Sequence, residues 1–210
     1  MIRFVLMLPI AVAVAAWPEP AVSGSYSGPG LAADVVITDP SLGEGRFTGK
    51  FHFDRAGTRF DVNGKKARFN AIIFNSFNRY MITVSRRNSV RVSRRLGEAL
   101  SAQFGDEPCG GFKDSVSLGT ESLSGRTIQV WRCENPRQPL LDAGFGPETE
   151  ETLWYDVGLK HFIRKENNDG VRIELRNIIP GRQPPALFDV PSDYAQLNSS
   201  SRIADVEAPQ

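Results

Sequence analysis

Arg46-Phe47-Thr48-Gly49-Lys50-Phe51-His52-Phe53-Asp54 alternates from end to end. Phe47, Phe51 and Phe53 fall on one face, and Arg46, Thr48, Lys50, His52 and Asp54 on the other. A period of two with one dry and one wet side predicts a half-buried strand. Arg55-Ala56-Gly57 then turns the chain into Thr58-Arg59-Phe60-Asp61-Val62, Asn63-Gly64 is a hairpin signal, and Lys65 to Phe74 returns. A further turn over 75–78 leads into Arg79-Tyr80-Met81-Ile82-Thr83-Val84. Neighbouring strands joined by short turns predict an antiparallel meander.

Working outward, Arg94 to Phe104 spaces Leu96, Leu100 and Phe104 four apart and ends at Gly105, which predicts a short helix with a glycine C-cap. A second group of strands is expected over Ser115 to Leu123, Arg126 to Glu134, Glu151 to Val157, Lys160 to Asn167 and Val171 to Ile179. Ser124-Gly125, Gly158 and Asn168-Asp169-Gly170 supply the turns between them. The fold class is therefore mainly β, in one domain over 31–197. Residues 17–30, rich in Gly, Ser and Pro, are expected to be flexible, and the tail 198–210 to be disordered.

The chain begins Met1-Ile2-Arg3 and continues with about 13 apolar residues that end in Ala15-Ala16. A bilayer-spanning helix needs roughly 20 such residues, so 1–16 reads as a cleavable signal peptide and the mature chain as periplasmic. Removing 1–16 takes away Arg3 alone among charged residues, leaving 24 basic against 24 acidic. A neutral chain is not the profile of a nucleic-acid binder, and a monomer is expected. In an oxidising compartment the two cysteines, Cys109 and Cys133, are expected to form one disulfide. The alternatives are weak: there is no Cys-x-x-Cys redox pair, and two thiols with the distant His52 and His161 do not make a zinc set.

No nucleophile elbow, phosphate loop or His-Glu-x-x-His motif occurs, so neither an enzyme nor a cofactor is expected. His52 reads as a wet-face residue and His161 as a surface or partly buried one. Arg86, Arg87, Arg91, Arg94 and Arg95 lie in a stretch with no acidic residue before Glu98, a candidate contact for an anionic membrane surface or an acidic partner. The competing account makes Arg86-Arg87-Asn88 a hairpin tip and the rest the wet side of a strand. Twelve phenylalanines follow residue 16, and Phe47, Phe51, Phe53, Phe60, Phe69 and Phe74 mark the dry face of the first meander. That face is the candidate ligand-binding surface. It either closes on its own side chains or leaves an apolar cavity beneath a helix, and a cavity of roughly 300 Å³ or more favours a ligand.

The later half carries a family resemblance. Leu118-Gly119-Thr120-Glu121-Ser122-Leu123-Ser124-Gly125-Arg126 leads to Val130-Trp131, then to Leu153-Trp154-Tyr155-Asp156 and Phe162-Ile163-Arg164. Leu175-Arg176-Asn177-Ile178-Ile179-Pro180-Gly181 and Leu187-Phe188-Asp189-Val190-Pro191-Ser192-Asp193-Tyr194 close the pattern. Over 30–197 the chain resembles the periplasmic lipoprotein-carrier (LolA-like) superfamily, closer to its uncharacterised outer-membrane lipoprotein-sorting-like relatives. The resemblance implies an antiparallel open or half β-barrel with one or two short helices covering its concave face. It also implies that this face holds a lipid, a lipoprotein acyl chain or another apolar ligand. The alternative it implies is a protein-interaction module, such as an envelope sensor or assembly factor. The resemblance carries over no functional residue.

Overall fold

A computed structural model of the chain describes residues 26–40, 45–63, 69–85, 89–123, 125–189 and 195–197. The first described strand, β1 (Leu31–Thr38), had no clear signal in the sequence, because Ala32 and Val36 dilute its alternation. Leu31, Ala33 and Val35 are nevertheless buried and their neighbours less so. The meander then follows as expected: β2 (Arg46–Asp54), β3 (Gly57–Asn63), β4 (Phe69–Asn75), β5 (Tyr80–Ser85) and β6 (Ser89–Ser93). Each pairs antiparallel with the next. Gly49 is the gap in the phenylalanine row of β2. A Cβ there would lie 2.0 Å from the Asp61 carbonyl oxygen, so the missing side chain is what allows β3 so close. The expected hairpin tip at Gly64 and the residues 65–68 lie outside the described residues.

Helix α1 (Arg94–Gln103) starts where Ser93 Oγ accepts a hydrogen bond from the Leu96 N–H at 3.2 Å. Its end differs from the glycine cap expected at Gly105. Phe104 leaves the helix in an extended conformation, φ −87° and ψ 113°, and carries its ring to Tyr26, Phe53 and Phe74. Burying that aromatic ring overrides the local capping signal. The second group contains β7 (Phe112–Leu123), β8 (Arg126–Pro136), the short helix α2 (Gln138–Asp142), β9 (Glu151–Asp156), β10 (His161–Asn167) and β11 (Arg172–Pro180). A last strand, β12 (Ala195–Leu197), adds to β6 in parallel.

All twelve strands make one open sheet in the order β12-β6-β5-β4-β3-β2-β1-β11-β10-β9-β8-β7. Strand β1 joins the halves by pairing with β2 on one side and β11 on the other. Strands β1 to β11 pair antiparallel with one another, the described sheet does not close, and two short helices accompany it among the described residues. Three apolar clusters result. The largest centres on Leu31, Val35, Phe53, Ile128 and Leu159 where the halves meet. A second surrounds Ile73, Ile82 and Phe188, the last of these from a 3₁₀ turn over Pro185–Phe188. The third gathers Ala99, Phe112, Cys133 and Leu140 beneath the helices. Tyr26, in the lead expected to be flexible, is buried, and its hydroxyl donates to the Leu159 carbonyl at 2.8 Å.

Candidate functional site

The dry sides of β1 to β4 and of β9 to β11 face α1 and the segment 104–112 that follows it. Between them lies a cavity of about 270 Å³. That is slightly below the roughly 300 Å³ at which ligand sites usually begin. Its wall is apolar over most of its extent: Val35 and Ile37 come from β1, Phe51 and Phe53 from β2, and Leu153 and Ile173 from β9 and β11. The roof is Leu100 and Gln103 of α1 with Phe104, Pro108 and Phe112.

Two devices fix the roof. Asp106 sits in a polar knot: its carboxylate accepts from the Ser27 N–H at 2.8 Å and from Lys160 Nζ at 3.0 Å, and its carbonyl accepts from the Tyr155 hydroxyl at 2.6 Å. Burial opposes the charge on Asp106, yet the bonds from Ser27 and Lys160 hold its pKa below the usual carboxylate range. Burial also raises the Tyr155 hydroxyl well above the ordinary tyrosine value, so it stays protonated and donates. The second device is the Cys109–Cys133 disulfide, which ties the roof to β8 and was expected from the sequence.

The wall contains polar groups as well. Glu151 and Lys165 form an ion pair at 3.3 Å, largely out of solvent, so neither presents an uncompensated charge. His161 is 7% exposed, its ring centroid 4.0 Å from that of Phe53 and 4.3 Å from that of Phe162. Burial pushes its pKa down to about 4, against a weaker opposing effect from the Phe162 carbonyl. The imidazole is neutral at physiological pH.

Of the phenylalanines singled out in the sequence, Phe51, Phe53, Phe60 and Phe74 line the cavity. Phe47 is half-buried on β2 and does not, and Phe69 opens β4, its side chain outside the description. Among the arginines, Arg91 on β6 and Arg94 and Arg95 in the first turn of α1 are exposed and away from the cavity. Arg86 and Arg87 lie outside the described residues. Sequence reasoning missed the roof residue Phe104 and the wall residues His161 and Phe162. In β10 the period of two places His161 with Ile163 and Lys165, and the sequence reads His161 as a surface or partly buried residue. A bulge between Phe162 and Arg164 then breaks the alternation, and His161 and Phe162 both reach the cavity.

No protein-family model matches the chain, and no curated protein matches it. Solved structures do. An uncharacterised conserved protein from Thermus thermophilus aligns over 81% of this chain and 91% of its own, with a TM-score of 0.53 and 10% identity. That likeness shows a shared fold. A LolA superfamily protein from Nitrosomonas europaea aligns over 80% and 94%, with a TM-score of 0.43 and 11% identity. The MucA/MucB complex of Pseudomonas aeruginosa aligns over 79% and 57%, with a TM-score of 0.42 and 14% identity. The architecture itself, an unclosed, mainly antiparallel sheet with two short helices among the described residues, is the open half barrel that the sequence resemblance implied.

Proposed function

We propose that the protein is an exported, non-enzymatic periplasmic binding protein that holds a lipid or other apolar ligand between the curved sheet and its roof. The observation that carries this reading is the phenylalanine-lined cavity of about 270 Å³ under α1 and 104–112. An ordinary core is packed without voids much larger than a water molecule, so a space of this size left apolar is suited to an apolar guest. Its volume suits one chain of modest length rather than several acyl chains together. The Cys109–Cys133 bond agrees with export, since such bonds persist in oxidising compartments.

Native mass spectrometry and solvent extraction of protein purified from the periplasm test the reading, together with uptake of a fluorescent fatty acid. One co-purifying or exchangeable apolar molecule per chain is the expected result. If neither a bound molecule nor any uptake is found, the binding reading fails and the interaction-module alternative takes its place. The intact mass from the same sample reads the export step, with loss of residues 1–16 expected.

A further inference from the structure

Several polar groups around the cavity are satisfied by one another, and the imidazole of His161 is only half so. Lys165 pairs with Glu151, Tyr155 donates to the Asp106 carbonyl, and Lys160 donates to Ser27 Oγ and to Asp106. His161 Nδ1 lies 2.7 Å from the Phe162 carbonyl oxygen, which can only accept. Nδ1 therefore carries the hydrogen, and in the neutral ring Nε2 is left with its lone pair. No described residue hydrogen-bonds that nitrogen. The imidazole belongs to the cavity wall, more than nine-tenths buried and packed against Phe51, Phe53 and Phe162.

We propose that His161 Nε2 is the polar recognition point of the cavity, accepting a hydrogen bond from the O–H of an uncharged single-chain amphiphile. The inference rests on the binding reading above and names the class of ligand. An acceptor that opens on a phenylalanine-lined cavity gains by meeting a donor there, whereas an ionised carboxylate or phosphate offers only acceptors and must lose its hydration to enter. A long-chain alcohol and a protonated fatty acid share the required O–H. The depressed imidazole pKa agrees with an acceptor role, because the protonated ring could only donate.

Calorimetric titration of the full mature chain with decanol, decyl methyl ether and decanoic acid tests this at neutral pH. The alcohol is expected to bind about 3- to 10-fold more tightly than the ether, the worth of one buried hydrogen bond. In His161→Phe that ratio falls to about one, and in His161→Gln, which keeps an acceptor, it stays above one. Decanol ahead of decanoic acid identifies an alcohol-type ligand. Decanoic acid binding that takes up a proton, and that weakens along with decanol in His161→Phe, identifies an acid bound in its protonated form. Nitrogen NMR of the wild-type histidines gives a reading that needs no variant: the His161 Nε2 resonance should move with decanol and stay with the ether. Equal affinity for alcohol and ether in the wild type, or a preference that survives in His161→Phe, overturns the role of His161 while leaving the cavity reading standing. Binding of none of the three overturns both.

Discussion

His161 is held neutral by burial, with a pKa of about 4 against the ordinary 6.5. An unfolded chain would take up a proton at this residue below about pH 6.5, while the folded chain resists it until about pH 4. Over that window the unfolded state binds more protons. Stability is thus fully present above the unfolded value and is lost as pH falls from there toward 4. Each unit of difference corresponds to about 1.4 kcal/mol, so the loss is on the order of 3 kcal/mol. The lowered carboxylates of Asp106 and Glu166 also lose stability in acid, through protonation of groups whose partners favour the charged form. Urea midpoints of wild type and His161→Phe, followed from about pH 8 to about pH 4, separate the two effects. The wild type should weaken relative to the variant as pH falls, and parallel curves would refute the assignment. None of this was legible in the sequence, where His161 shares a face with Lys165. What hides Lys165 is its pairing with Glu151 on the adjacent strand β9, a contact 14 residues away in the chain.

At the scale of elements, the segment 104–112 behaves as a roof because it is pinned twice, by the Asp106 knot and by Cys109–Cys133. The disulfide joins residues 24 apart, and closing such a loop in the unfolded chain stabilises the fold by roughly 3 to 4 kcal/mol on chain-entropy grounds. Cys133 is fully buried beside Phe112 and Leu140, so replacing both cysteines with alanine avoids a buried hydroxyl. The double variant should lose about that much stability in guanidinium. It should also release a bound fluorescent fatty acid several-fold faster, because the roof then loses its covalent tie to β8. Unchanged release would mean that the roof does not gate the cavity. The elements differ in how well the sequence displayed them. Strand β2 was readable because its wet face is continuously polar, and the β7–β8 hairpin because Ser124-Gly125 punctuates it. Strand β1 was not, since as the seam of the sheet it has neighbours on both edges and carries Ala and Val on both sides. The end of α1 was misplaced by one residue because the site for Phe104 is built from Tyr26, Phe53 and Phe74, which are distant in sequence.

For the whole molecule, the cavity exists because two meanders meet at β1 and curve about the same side, with α1 and its extension laid across the opening. Curvature and the gap beneath the roof depend on how twelve strands coil together, which a period-two pattern does not encode. The phenylalanine row of β2 and β3 foretold the apolar wall, but the same row would have served a filled core. A ligand that occupies the folded cavity and has no affinity for the unfolded chain must raise the stability of the entire sheet, not of one strand. At a free concentration about a hundredfold above Kd the gain is about 2.7 kcal/mol. For a domain of this size that corresponds to a rise in Tm of about 5 to 10 °C. Ile72 lines the cavity from β4 and is half-buried, so Ile72→Trp fills the space from the side opposite His161. Overpacking of this kind costs about 1 to 3 kcal/mol at most sites, which leaves a folded protein to compare. Scanning calorimetry with saturating decanol should show the full rise in wild type and little in Ile72→Trp. An equal rise in both would place the ligand elsewhere on the molecule, and a fall in both would mean that the alcohol acts on the unfolded chain.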